Sequence, residues 1–137
     1  MLKTDDIPAH WAVNTIRFKT WFPEHERRVE SPEFAQTRKQ LLEVENRGCW
    51  ICGTRDQLEI HHCHIEWSLK NAVDWNKFII AYPDFGVKYK SLDNFVDSMD
   101  NALVLCQAHH RLAGRGIHFL PYPVWEIQKY EIEVPKC

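Results

Sequence analysis

The sequence lacks a charge excess of either sign. Its 17 Lys and Arg stand against 19 Asp and Glu, giving a net charge of -2 and a pI near 6.4. Composition therefore shows no basic footprint of the kind that marks nucleic-acid binders, and any such contact must come from a local patch. Long apolar runs are also missing. Stretches such as Phe78-Ile79-Ile80-Ala81 fall far short of the ~20 residues a membrane helix requires. No basic segment followed by an apolar run opens the chain, so no signal peptide is expected. There is no internal repeat, low-complexity tract or interdomain linker. These absences point to one soluble, cytoplasmic domain spanning residues 1–137, without a membrane partner.

What is present suits a packed core. Hydrophobic residues make up 45% of the chain, with 6 Trp and 7 Phe, which excludes a disordered chain. Asp5-Asp6-Ile7-Pro8 reads as a cap before a short helix running through Trp11 to about Ile16. Trp11, Phe18, Trp21 and Phe22 read as packing residues. The clearest helix opens at Ser31-Pro32-Glu33 and carries Phe34, Leu41 and Leu42 at helical spacing up to Gly48, with Arg38, Lys39 and Arg47 on its wet face. Further on, a strand is expected from Leu58, a helix over 66–82, a loop over 83–90 and a short helix from Ser91. A strand over Ala102 to Leu105, a helix from Gln107 to Leu112 and a last helix from Pro121 to Tyr130 follow. In that last helix Val124, Trp125 and Ile127 are expected to pack inward.

Five cysteines is an odd number for a disulfide framework. In a cytosolic chain, Cys-x2-Cys and Cys-x2-His pairs read first as metal ligands. Cys49-Trp50-Ile51-Cys52-Gly53 has the form of a metal knuckle, and Cys106-Gln107-Ala108-His109 repeats the spacing. Cys49, Cys52, Cys106 and His109 together make a closed tetrahedral set of the kind that holds a structural zinc. Binding would add folding energy to a small domain. Cys63 and Cys137 are left over, read as a buried thiol and a free tail thiol. His61-His62-Cys63-His64 leaves an alternative open, in which His64 or Cys63 replaces His109 as a zinc ligand. His64 itself reads as a packing or hydrogen-bonding residue, and His10 and His25 as surface residues.

The order Cys-x2-Cys, then Leu58-Glu59-Ile60-His61-His62, then Asn101-x-Leu103-x-Leu105-Cys106-x2-His109-His110 resembles the HNH endonucleases. The Gly116-Ile117-His118 tail is similar to phage-type members. The resemblance covers residues 49 to 118 and implies an α+β protein, a small zinc-stapled ββα-metal core with additional flanking helices. On this reading residues 1–48 form an N-terminal helical extension, 49–118 the core and 119–137 a C-terminal helix and tail. The implied activity is metal-dependent hydrolysis of DNA phosphodiester bonds, in the host cytoplasm if the chain is phage-encoded. His62 would be the general base and Asn101 would hold the loop that orients it. His61 and His110 would hold the catalytic metal, and Cys49, Cys52, Cys106 and His109 the structural zinc.

The chemistry is coherent by itself. A neutral imidazole can take a proton from water, and a divalent cation can neutralise the phosphate. His61 and His62 are adjacent, so on a regular strand they face opposite ways, and both reach one site only if the strand bends there. Two positions depart from the family pattern. His109 stands where a fourth Cys is commoner, and Gly114 stands where a third metal histidine is found. His118 is the candidate to fill that gap, as a ligand or as a phosphate contact. An imidazole-rich site suits Mn, Ni, Co or Zn ions better than Mg. Arg111 and Arg115 are candidate phosphate contacts, or simply a solvated helix face. The rival functions are a non-catalytic zinc-stabilised module binding DNA or a protein, and a structural phage component with a degenerate site. A homodimer would ease cutting of both strands.

Overall fold

The computed structural model describes residues 6–14 and 17–133. Helix α1, Pro32–Lys39, starts where its chemistry dictates. The Ser31 hydroxyl accepts the Phe34 amide at 3.0 Å, and Pro32 occupies the first turn, where its missing N–H costs nothing. The helix runs on into a π-helical turn over Gln40–Val44, and Thr37 and Leu41, one turn apart, are its buried residues. Arg55 closes the exit by donating to the carbonyls of Asn46, Arg47 and Leu42. Gly48 serves as more than a terminator. A Cβ there would collide with the backbone carbonyl of Gly53, so the chain can fold into the knuckle only with glycine at this position.

The knuckle is tied on both sides. The Cys49 amide donates to the Thr54 carbonyl at 2.8 Å, and the Trp50 amide donates to the Val104 carbonyl at 2.9 Å. Strand β1, Leu58–His62, then leads into a 3-10 turn over Trp67–Ala72 and three short helices: α2, Trp75–Ala81, α3, Pro83–Lys88, and α4, Leu92–Val96. Strand β2, Ala102–Cys106, returns antiparallel to β1, with Leu58 opposite Cys106 and His62 opposite Ala102. Helix α5, Gln107–Arg111, follows β2 without a gap, and α6, Tyr122–Glu126, covers the knuckle. The architecture is α+β: a ββα unit of β1, β2 and α5, with a Cys and His cluster at its head and helices flanking it.

Two apolar clusters hold it. One joins the knuckle to the ribbon through Ile51, Leu105 and Trp125, and Trp50 stacks on Trp125 at 5.7 Å. The other packs Ile65, Trp67, Phe95 and Val96 under the inserted helices. Each fully buried large side chain in these clusters contributes about 1.5–3 kcal/mol relative to exposure.

Several expectations need correction. Residues 83–90 are not a loop, because Pro83 opens α3. The helix expected over 66–82 breaks at Val73, and Asp74 recaps it by accepting the Asn76 and Lys77 amides. Residues 11–14 are not helical, while Asp5, Thr15, Ile16 and Cys137 lie outside the described residues. Trp11, Phe18, Trp21 and Phe22 are exposed rather than packed, as are Val124 and Ile127. Cys63 is exposed, with its thiol near the Asp100 carbonyl. His64 packs, with its ring edge-on to Tyr82 at 5.0 Å and Phe85 at 5.5 Å.

Candidate functional site

The head of the ββα unit brings Cys49, Cys52, Cys106 and His109 together, with all four ligand atoms within 4.8 Å of one another. The Cys52 and Cys106 sulfurs are 3.9 Å apart, and His109 Nδ1 lies 3.3 Å from Cys106 Sγ and 3.9 Å from Cys49 Sγ. A zinc tetrahedron with ~2.3 Å zinc–sulfur bonds has edges of ~3.8 Å, so the donor set fits that ion in chemistry and size. Burial opposes ionisation of Cys49, but hydrogen bonds from the Cys106, Cys52 and Ile51 backbone hold its thiol below the ordinary value. Burial and the neighbouring sulfurs of Cys49 and Cys106 push Cys52 up. Such crowded sulfurs become thiolates together only around a cation. The ring is anchored from behind, because Trp125 Nε1 donates to the His109 carbonyl at 2.7 Å.

A second cluster lies one residue further along α5. His61, His110 and His118 also offer ligand atoms within 4.8 Å of one another. His110 Nε2 and His118 Nε2 are 3.0 Å apart, and the His61 ring centre sits 5.2 Å from His110 and 5.1 Å from His118. The loop after α5 makes this possible. Gly114 takes a left-handed φ of 83°, and a Cβ on Gly116 would strike the backbone of Arg111 and His110. The chain therefore doubles back, and the amides of Ile117 and His118 bond to the carbonyls of His109 and His110. Burial is the main force on His61 and lowers its pKa to about 3, helped by the His110, His118 and His62 charges. Burial and His110 also lower His118. Neutral imidazoles are the form that ligates a metal.

Glu59 completes this cluster and was not singled out in the sequence. Its Oε1 accepts from His110 Nδ1 at 2.8 Å, and Arg111 holds both carboxylate oxygens, at 3.1 Å through Nε and at 2.9 Å through the guanidinium end. With Nδ1 donating, His110 presents a lone pair on Nε2 toward its histidine neighbours. Burial pushes the Glu59 carboxyl up, but His110 and Arg111 bring it below its ordinary value. The missed signal was position. Glu59 and His61 are two apart on β1 and so share a face.

His62 goes elsewhere. The strand stays regular through His62, and the chain bends only after it, so the adjacent histidines meet different neighbours. The His62 ring stacks on Phe34 at 5.4 Å, and Nε2 lies 2.9 Å from Asp97 Oδ1. Asp97 was also missed. It is buried and further receives the Ser31 hydroxyl at 2.7 Å and the Arg28 guanidinium at 3.2 Å. Asn101 is fully buried, and its side chain makes no hydrogen bond with His62. Its Oδ1 accepts the His64 and Ile65 amides at 2.9 Å, and its Nδ2 donates to the carbonyls of Ile65 and Val96 at 2.9 and 2.7 Å. It thereby fixes the bend after His62 to the end of α4. Arg111 is engaged by Glu59, whereas Arg115 is exposed and receives Gln128 only through its backbone carbonyl.

A zinc-type Cys and His cluster heading a ββα unit, with a histidine trio beside it, defines a metal-bearing nuclease-like class. The family model of HNH endonucleases matches residues 49–117. The chain belongs to this family, which points to nuclease activity, a divalent metal and a DNA substrate. No curated protein and no solved structure gives a significant match. Among the described residues no helix is long and apolar enough to cross a membrane.

Proposed function

We propose that the protein is a metal-dependent endonuclease that hydrolyses DNA phosphodiester bonds. The observation that supports this most is the trio of His61, His110 and His118 beside the Cys and His tetrad, within a chain of the HNH family. His61, His110 and His118 would hold the catalytic divalent ion, and Cys49, Cys52, Cys106 and His109 a structural zinc. When bound, the catalytic ion supplies positive charge to the scissile phosphate and to the leaving oxygen. Three imidazoles favour Mn, Ni, Co or Zn over Mg.

His62 acts as the general base. Its Nε2 is engaged by Asp97, while Nδ1 has no hydrogen-bond partner among the described residues. No buried side-chain nitrogen or oxygen among them lacks a partner, so Nδ1 reaches solvent. Because His62 faces away from the trio, a phosphate held there would reach it only across the end of β1, where a water beside Nδ1 would give up its proton as its oxygen attacks phosphorus and the opposite P–O bond breaks. Asn101 fixes the bend that follows the base. Arg115 steers the phosphate backbone, and Arg111 adds charge through its exposed end while Glu59 aligns it. The core spans residues 49–118, with 1–48 as an N-terminal helical extension and 119–137 as a C-terminal helix and tail.

The tetrad alone would equally serve a non-catalytic zinc-stabilised binding module, and it is the separate histidine trio that favours the enzyme. Purified protein incubated with supercoiled plasmid and Mg, Mn, Ni or Co ions is expected to nick it. His62→Ala should abolish nicking while keeping the fold and the tetrad's zinc. Full activity of that variant would overturn the assignment.

A further inference from the structure

We infer that Asp97 is the positioning residue for His62, and that Arg28 and Ser31, which precede the family-matched residues, hold Asp97 in place. The inference rests on the reading of His62 as the general base.

An imidazole on a strand end has a broad, two-fold torsion about its last bond, and the two ring flips exchange Nδ1 with Cδ2 and Nε2 with Cε1. Something must choose between them. Asp97 Oδ1 meets Nε2 at 2.9 Å, and a carboxylate only accepts hydrogen bonds, so Nε2 carries a proton and in the neutral ring Nδ1 is left with the lone pair. The carboxylate itself cannot swing. Its Oδ2 takes the Ser31 hydroxyl at 2.7 Å, and Arg28 spans both oxygens at 3.2 and 3.5 Å. Arg28 is in turn held between the faces of Phe34 at 4.9 Å and Trp67 at 4.8 Å. Phe34 also lies against the His62 ring, within 24° of parallel, so the ring is fixed in plane by Phe34 and along its edge by Asp97.

The arrangement exceeds what a structural staple needs. Arg28 and Ser31 already neutralise and solvate the carboxylate, and the Thr37 hydroxyl separately ties α1 to the Asp97 backbone carbonyl at 2.8 Å. The bond to His62 adds direction to a ring that the strand's alternation sends away from the histidine trio. Burial raises the Asp97 carboxyl, yet bonds from His62, Ser31 and Arg28 hold it well below the usual carboxylate range, so it remains an acceptor.

The test uses the full chain, zinc-loaded, with plasmid nicking measured under Mn ions as kcat and KM for DNA. Asp97→Ala should lower kcat roughly 10- to 100-fold, the scale of losing an outer partner that orients a functional histidine, with KM unchanged. Asp97→Asn, whose amide oxygen still accepts from Nε2, should recover most of that loss. A folded Asp97→Ala with wild-type kcat overturns the inference, and so does an Asn variant as impaired as the Ala variant. If Asp97→Ala loses its zinc or its circular-dichroism signal, Arg28→Gln replaces it. That change removes the guanidinium spanning both carboxylate oxygens while leaving the Ser31 and His62 bonds in place, and an unchanged kcat there is equally fatal. His62→Ala run in parallel separates the two claims. If it is inactive while the Asp97 variants are normal, only the positioning role falls. If it is fully active, the general-base reading falls as well.

Discussion

Replacing Asn101 with Ala removes four hydrogen bonds at once and orphans three buried backbone partners, the Ile65 amide and the carbonyls of Ile65 and Val96, together with the half-buried His64 amide. A buried hydrogen bond contributes about 1 kcal/mol net, and an orphaned buried group costs more than that. The expected loss is therefore about 4 kcal/mol, a large share of the 5–15 kcal/mol that typically separates folded from unfolded chains. Unfolding entropy scales at about 2.1 cal/mol/K per residue, so a chain of 137 residues should drop in Tm by about 14 °C. The assay is calorimetry on zinc-loaded protein, with urea midpoints as a check. Asn101→Asp should rescue little. It keeps the two accepted bonds, but it sets lone pairs against the Ile65 and Val96 carbonyls. A shift below about 3 °C for Asn101→Ala would refute the claim that this amide fixes the bend after His62.

Chelation of the tetrad should unfold the knuckle, because the crowded sulfurs of Cys49, Cys52 and Cys106 then repel. Native mass spectrometry before and after EDTA is expected to show one tightly held zinc lost together with the folded charge-state distribution. His61 is held at about 3 in the folded chain against an ordinary 6.5, so the unfolded chain binds the extra proton. Stability should accordingly be full above pH 6.5 and fall as pH drops toward 3, by up to about 1.4 kcal/mol per pH unit. A His61→Phe variant should show a shallower slope in urea titrations at successive pH values, and parallel slopes would contradict this. Glu59→Ala should weaken the second metal about 10- to 100-fold by releasing His110, while the tetrad keeps its zinc. Calorimetric titration with Mn or Ni ions measures it, and unchanged affinity would remove Glu59 from the site.

The parts legible in the sequence were those that local chemistry determines. Ser31-Pro32 announces a helix start, the Cys-x2-Cys and Cys-x2-His spacings announce one metal cluster, and Ala102 to Leu105 announces a strand. His118 entered as the candidate for the gap at Gly114 because a glycine turn could return the chain, and the loop does return it beside His110. Glu59 and Asp97 stayed hidden because their meaning lies in partners 51 and 35 positions away, a distance that no periodicity spans. Arg28 reads as one charge in a charged run until Phe34 and Trp67 close over it. Pro83 suits the first turn of a new helix as well as the end of the one before it, so sequence alone does not separate α3 from a loop. The exposed aromatics of residues 11–22 show the converse error, in which apolar character without helical spacing was taken for core.

His109 and His110 are successive residues of one short helix, yet their rings enter different ligand clusters. Neither ring can shift without dragging the other, since α5 has five residues and Trp125 pins the carbonyl between them. If both clusters bind metal, the occupancy of one is therefore coupled to the occupancy of the other. Whatever factor zinc in the first adds to metal affinity in the second, the second metal must return to zinc.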